Sequence, residues 1–350
     1  MRLAIQIPCW NEREWIARTL ASLPGCIDGV DSIEVIVVDD GSTDGTERVA
    51  VEAGADAVIR LPRHCGLADT FLAGVHTALE RGVDILVNTD ADMQYPSSSI
   101  GELITPILQG KADVVIGNRL SNPHPPFSPL KMILERFGSA VVRLLSGTGV
   151  RDAASGFRAF NREALEAIFL HGTFSYTMET IMVAGVKKLR VHNVPIAVNP
   201  PQRPSRLFRS IPGYIARSTG TILRAYLMYY PLRFFVGIGS LFLLSAFFLG
   251  IRFLYFFLLD GGGGHIQSLI LLAIFAFMGF QSIVLGFIGD IISANRRLLE
   301  HLRLQRFASQ VRTEGIQNSG TFPLQTAARN RSLKKIPSEN FQRKPFVTHP

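Results

Sequence analysis

Ile85-Leu86-Val87-Asn88-Thr89-Asp90-Ala91-Asp92-Met93-Gln94-Tyr95-Pro96 runs from an unbroken apolar stretch into two carboxylates one residue apart, with a proline soon after. The apolar run reads as a short strand. Strand side chains alternate faces, which predicts that Asp90 and Asp92 project to the same side at its end. Carboxylates that close repel each other unless a cation joins them. Mg2+ and Mn2+ favour oxygen ligands and commonly take one or two carboxylates together with substrate phosphates. The stretch therefore predicts a metal–diphosphate site at a strand end, although an isolated Asp-x-Asp is also a common solvated turn.

Around that strand, residues 2–120 alternate strand and helix signals. Apolar runs at Leu3–Ile7, Ile33–Val38, Ala57–Leu61 and Asp113–Ile116 join Ile85–Asn88 as strands. Helical patterns at Glu12–Leu23, Asp44–Ala53, Leu67–Arg81 and Ser97–Gln109 separate them. Such alternation implies an α/β domain with a largely parallel sheet, which binds ligands beyond the carboxyl ends of its strands. Those ends hold the polar clusters: Pro8-Cys9-Trp10-Asn11-Glu12, Asp39-Asp40-Gly41-Ser42-Thr43-Asp44, Asp90-Ala91-Asp92 and Gly117-Asn118-Arg119. Packing gives no reason for four strand ends to gather acidic, small and aromatic residues, so they read as one active site. Residues 127–199 read as a mixed α+β extension.

The chain has 350 residues, a net charge of +8 and three cysteines without metal spacing. The odd cysteine count argues against a disulfide framework and for a reducing compartment. The first residues lack the pattern of a signal peptide. Two long apolar segments, 234–259 and 266–292, each exceed the roughly 20 residues that span a bilayer. With the short Asp260–His265 turn between them they predict a transmembrane hairpin, with Arg252 snorkelling towards the far interface. Arginines precede the first span and follow the second, and none lies in the turn, so the positive-inside rule places both ends in the cytoplasm. The expected organisation is a cytoplasmic domain over 1–200, amphipathic interfacial helices over 201–232, a hairpin over 233–295 and a basic, mostly disordered tail over 296–350.

The order Pro8-x-x-Asn11-Glu12, Val37-Val38-Asp39-Asp40-Gly41-Ser42-Thr43-Asp44, then Asp90-x-Asp92-x-Gln94, resembles the family 2 glycosyltransferases with the GT-A fold. The later Asp152-x-x-Ser155-Gly156-Phe157-Arg158 and the hairpin are similar to the dolichol-phosphate mannose synthase group and its bacterial polyprenyl-phosphate relatives. The resemblance covers about residues 2–300. It implies an inverting transfer of one sugar from a nucleotide-sugar to a polyprenyl phosphate at the membrane. An enzyme acting on another glycolipid or glycan acceptor is the alternative.

On that resemblance Pro8, Trp10, Glu12, Val37 and Asp39, with Asp40 and Ala91, would hold the nucleotide-sugar. Trp10 stands where relatives carry tyrosine. Asp90, Asp92 and Gln94 would bind Mg2+ or Mn2+, and Arg119 would meet the acceptor phosphate, with Arg136, Ser139, Arg203 and Arg206 as further candidates. The segment at Arg203-Pro204-Ser205-Arg206 is shorter than in relatives, and Arg209 could substitute for Arg206. Asp44 is as well suited to capping a helix as to touching ligand, and Glu179 to a structural ion pair as to the site. No nucleic-acid partner is expected; the sugar, the nucleobase and the oligomeric state are not encoded in these motifs. A polysaccharide synthase is disfavoured because no Gln-x-x-Arg-Trp motif occurs. A nicotinamide dehydrogenase is disfavoured because no Gly-x-Gly-x-x-Gly follows the first strand. A silent membrane scaffold would have lost the site residues, which are intact.

Overall fold

The computed structural model describes residues 1–121, 129–168, 176–199, 211–260 and 266–317. In chain order the elements are β1 (Arg2–Cys9), α1 (Arg13–Ser22), β2 (Ser32–Asp39), α2 (Thr46–Glu52), β3 (Ala57–Arg60), α3 (Leu67–Glu80), β4 (Ile85–Asn88), α4 (Ile100–Leu108) and β5 (Val114–Asn118). Then come α5 (Pro129–Ser146), β6 (Arg158–Asn161), α6 (Arg162–Ala167), α7 (Tyr176–Val186), β7 (Val191–Pro195), α8 (Ile211–Tyr229), α9 (Pro231–Asp260) and α10 (Ile266–Gln317). The five strands and four helices expected before residue 120 all form. The helix α1 stops where expected, because Pro24 forces Leu23 into extended backbone.

One sheet of seven strands runs in the order β3-β2-β1-β4-β6-β5-β7. All neighbours are parallel except β6, which lies antiparallel between β4 and β5. This placement positions the site. It brings the 152–157 loop that leads into β6 up against the end of β4. Period-two alternation then builds two cores. Ala4, Ile36, Leu86 and Ile116 face α3, α6 and α7, while Leu3, Ile5, Val37 and Val87 face α1, α2 and α4. Truncating Leu86, fully buried in the middle of this sheet, to alanine would cost about 2–5 kcal/mol.

At the opposite end of the sheet from the site, Asp113 ties three strands together. Its carboxylate accepts from Arg190 N at 2.8 Å, Arg190 Nε at 3.0 Å and Asn161 Nδ2 at 3.0 Å. The Arg190 hydrogen bonds hold the Asp113 carboxyl below the usual aspartate range, against the opposing pull of burial. A depressed folded value means that the stabilisation is fully present above the ordinary aspartate range and is lost as pH falls through the depressed value. The Asp113→Asn variant should therefore be less stable at neutral pH and show a shallower loss of stability on acidification. Denaturant melts at neutral and acid pH check this.

The two last helices pack as an antiparallel pair. Pro231 meets Gly289, Phe242 meets Phe275, and Gly250 meets Leu272. Midway, a side chain on Gly239 or Gly279 would strike the other's carbonyl oxygen, at 2.8 and 2.9 Å. Small residues permit that backbone approach, as in membrane helix pairs. Pro231–Leu259 and Ile266–Arg296 are long and apolar enough to cross a membrane, with mean hydropathy 2.3 each. Only 11% of each apolar window is buried, whereas the core helix of a soluble protein would be mostly buried. The helix α10 continues to Gln317, so residues 296–317, the first part of the tail expected to be mostly disordered, are helical. No glycine or proline interrupts Asp290 to Glu314, and without a breaker the helix propagates. Residues 318–350 lie outside the described residues. The segment expected to be interfacial is helical over Ile211–Tyr229.

Candidate active site

The structure brings the ends of β1, β2 and β4 and the loop before β6 to the carboxyl edge of the sheet. At the end of β1, Asn11 takes a left-handed conformation, φ 53°, which asparagine tolerates better than most residues. It is locked there by Ser42 and Thr43. Asn11 N donates to Ser42 Oγ at 2.8 Å, and Thr43 N donates to Asn11 Oδ1 at 2.9 Å. Glu12 N donates to Thr46 Oγ1 at 2.9 Å. The first and second strand ends are thus one rigid unit.

Within it the three aspartates of the Asp39–Asp44 stretch have different tasks. Asp39 is fully buried; its Oδ1 accepts from Ser42 N at 3.1 Å and from Ser42 Oγ, while its Oδ2 has no hydrogen-bond partner. Asp40 holds the 64–66 loop instead. It accepts from Cys65 N at 2.7 Å and Gly66 N at 3.0 Å, and pairs with His64 Nδ1 at 2.8 Å. Asp44 is a capping residue, accepting from Thr46 N at 3.0 Å and Arg13 N at 3.1 Å. Burial acts to raise the Asp44 carboxyl, but the Thr46 hydroxyl and the backbone donors outweigh it and hold it below the usual range. Trp10 remains half out in solvent and stacks on His64, ring centroids 4.2 Å apart. Pro8, Val37 and Ala91 are buried, so their side chains belong to the core and only their backbone can face a ligand.

The fourth strand corrects one premise. The strand β4 ends at Asn88, so Asp90 and Asp92 stand in a turn, and strand alternation does not set their directions. The left-handed Met93, φ 58°, turns the backbone within this stretch instead. A left-handed methionine is strained and persists only where its surroundings fix it. Here Asp92 Oδ1 accepts from Gln94 N at 3.1 Å, Asn199 Nδ2 donates to Met93 O at 2.9 Å, and Asn199 N donates to Gln94 O at 2.9 Å. Asn199 was not singled out in the sequence, since it is more than a hundred residues from the turn.

Behind Asp90 stands Gly156. A side chain there would lie 3.3 and 3.4 Å from the two Asp90 carboxylate oxygens and 3.1 Å from Tyr176 Oη. A larger residue there would crowd that carboxylate and the Tyr176 hydroxyl. The Gly156 backbone is pinned on both sides: its N donates to Tyr95 Oη at 3.2 Å, and its O accepts from Tyr176 Oη and Asn88 Nδ2, each at 3.0 Å. Burial pushes the Tyr95 phenol up to about 12, and burial with the nearby Asp90 charge raises Tyr176 well above its ordinary value. Both phenols therefore stay neutral at neutral pH, Tyr176 donating to Gly156 O and Tyr95 accepting from Gly156 N. Arg158 is wholly buried and bonds to the carbonyls of Ala153, Ser155 and Thr177 and to Thr180 Oγ1. Burial lowers its pKa to about 10. It clamps the 153–156 loop from below.

Arg119, expected to meet an acceptor phosphate, lies just beyond the end of β5. It is buried, with Nε and Nη2 each donating to Asp152 at 2.8 Å and Nη2 also to Glu135 Oε2 at 2.8 Å. Ser139 is buried too and accepts from Ala153 N at 3.0 Å. Arg136 is exposed on α5. Glu179 is buried on α7. Arg203, Arg206 and Arg209 lie outside the described residues. Among the described residues no three His, Cys, Asp or Glu side chains cluster closely enough to cage a metal by themselves.

Residues 4–169 match the family model described as glycosyl transferase family 2. The polyprenol monophosphomannose synthase of Mycolicibacterium smegmatis is 33% identical over 184 residues. That stretch covers 48% of this chain and 65%, just under two thirds, of the mycobacterial protein. The undecaprenyl-phosphate mannosyltransferase of Micrococcus luteus is 32% identical over 206 residues, covering 56% of this chain and 83% of that protein. Among solved structures, glucosyl-3-phosphoglycerate synthase from Mycobacterium tuberculosis, crystallised with Mn2+ and uridine-diphosphate-glucose, shares the fold. Its TM-score is 0.50 at 23% identity over 64% of this chain and 78% of that one.

Proposed function

As the chain belongs to glycosyl transferase family 2, we propose that this glycosyltransferase moves one sugar from a nucleoside-diphosphate sugar to a polyprenyl phosphate at a membrane surface. The observation that carries the reading is the Asp90–Gln94 turn, pinned by Asn199 and backed by Gly156, on the same chain as two membrane-length apolar helices. The residues fit a hard divalent cation. Asp90 and Asp92 offer carboxylate oxygens and Gln94 an amide oxygen, the donor set that suits Mg2+ or Mn2+. Two carboxylates would leave further positions for diphosphate oxygens. Bound there, such an ion supplies charge neutralisation to a departing nucleoside diphosphate.

The chain's own residues do the rest. Trp10 with His64 offers an aromatic face to a base. Asp39 Oδ2, a buried acceptor without a donor, suits a base N–H or ribose hydroxyl. An acceptor phosphate is already ionised at neutral pH, so attack at the sugar's anomeric carbon needs no strong general base. Arg136, one of three exposed cations on α5, would meet that phosphate. Arg119, held by Asp152 and Glu135, positions the loop beside it.

The test is incubation of membranes containing the full chain with Mn2+, undecaprenyl or dolichyl phosphate and a panel of labelled nucleotide-sugars. One donor should yield a labelled lipid that the Asp92→Ala chain does not make. Folded protein that labels no lipid with any donor would overturn the reading.

A further inference from the structure

The backbone on both sides of Asp92 is held by groups distant in the sequence. Ala91 O, just before it, accepts from Thr19 Oγ1 of α1 at 2.7 Å. Beyond it, Met93 O accepts from Asn199 Nδ2 and Gln94 O from Asn199 N, each at 2.9 Å. Thr19 and Asn199 Nδ2 reach their carbonyls across 72 and 106 residues. Both residues line one hollow together with Met93 and Tyr95. Asp92 itself is half-buried and has a hydrogen bond only from Gln94 N, so its direction depends on the backbone that carries it.

Thr19 is turned towards this task. A threonine inside a helix commonly gives its hydroxyl to the carbonyl four residues earlier. For Thr19 that carbonyl, Trp15 O, is 3.1 Å away, and Ala91 O is closer. The side chain is 3% exposed, so water does not compete for its single proton. Asn199 reaches Asp92 through one peptide unit. Met93 O and Gln94 N belong to the same planar group. Asn199 Nδ2 holds its oxygen end, and its nitrogen end donates to Asp92 Oδ1 at 3.1 Å. An amide whose oxygen accepts a hydrogen bond is a stronger donor at its nitrogen. Asn199 therefore sets both the tilt of that peptide and its hold on the carboxylate.

We infer that Thr19 and Asn199 are positioning residues that aim the Asp92 carboxylate at a divalent ion. They act through the peptides on either side of Asp92 and not as ligands. This rests on the reading of Asp92 and Gln94 as ion ligands. Loss of an outer partner that orients a metal ligand typically lowers metal affinity by about 10–100-fold. Removing either donor should weaken Mn2+ binding on that scale and leave metal-free nucleotide binding as it was.

The experiment uses the full chain in detergent with Mn2+, in one arm with UDP and in the other with GDP. Electron paramagnetic resonance counts the free Mn2+, and calorimetry gives the nucleotide affinity without metal. Thr19→Val keeps the shape and removes the hydroxyl, Thr19→Ser returns it, and Asn199→Ala removes the amide. Asn199 is exposed and its backbone N keeps its bond to Gln94 O, so that chain should fold even where Thr19→Val does not. The expected result is Mn2+ binding about 10–100-fold weaker in Thr19→Val and Asn199→Ala and unchanged in Thr19→Ser, with equal metal-free nucleotide affinity throughout. Parent-like Mn2+ binding in Thr19→Val and Asn199→Ala, while Asp92→Ala loses the ion, overturns the inference and leaves the ion site standing. A fall in metal-free nucleotide affinity as large as the fall in Mn2+ binding also overturns it, because the damage is then general. Parent-like Mn2+ binding in Asp92→Ala overturns the ion site and the inference together.

Discussion

The Asp92→Ala chain is expected to transfer sugar at least about a hundredfold more slowly than the parent, the scale of losing one electrostatic stabiliser of a departing charge. Stability should hardly change. Asp92 is only half-buried, and its one hydrogen bond in the structure is from Gln94 N at 3.1 Å. The contrast with Asp90 is informative. Asp90 fills a space that Gly156 leaves open and lies near two buried phenols, so replacing it perturbs packing as well as charge. Binding of a nucleoside diphosphate, measured by calorimetry with and without Mn2+, separates the effects. The parent should gain affinity from Mn2+, and the Asp92→Ala chain should lose that gain while keeping its Mn2+-free affinity. If both chains gain equally, Asp92 does not hold the ion, and the assignment of the turn falls.

The sheet and the turn differ in how far the sequence reveals them. Strands β1, β2, β4 and β5 are legible because each is an apolar run that stops at polar residues, so periodicity and boundary agree. The strand β6 escapes such a reading. It has four residues, begins with Arg158, and is a strand only because β4 and β5 leave it a slot. Asp90 and Asp92 stand out in the sequence by composition, yet the geometric reason offered for them fails. The strand ends two residues earlier, and Met93 and Asn199 shape the turn. Contacts across a hundred residues leave no local signature. The same holds for Arg119. Its position after β5 is visible, but its partners Glu135 and Asp152 stand 16 and 33 residues away.

The buried ion-pair group around Arg119 should have the largest effect on stability. In the Asp152→Ala chain Arg119 loses two of its side-chain hydrogen bonds, and its backbone N loses an acceptor at 3.0 Å. Arg119 and Asp152 are both buried, so water cannot replace the lost partner. Removing one member of a buried pair commonly costs about 3–5 kcal/mol because the other charge is stranded. Glu135 remains, itself pushed up by burial despite Arg119 and the Lys131 ammonium at 4.0 Å, and can recover only part of the loss. Thermal melts in detergent should therefore fall clearly below the parent. The double variant Arg119→Met with Asp152→Leu should recover much of that stability, since replacing both members of a buried pair by apolar groups is often neutral. It should not recover sugar transfer if the pair's task is to hold the 152–157 loop against Asp90. Recovery of both would reduce the pair to a packing element with no part in holding that carboxylate.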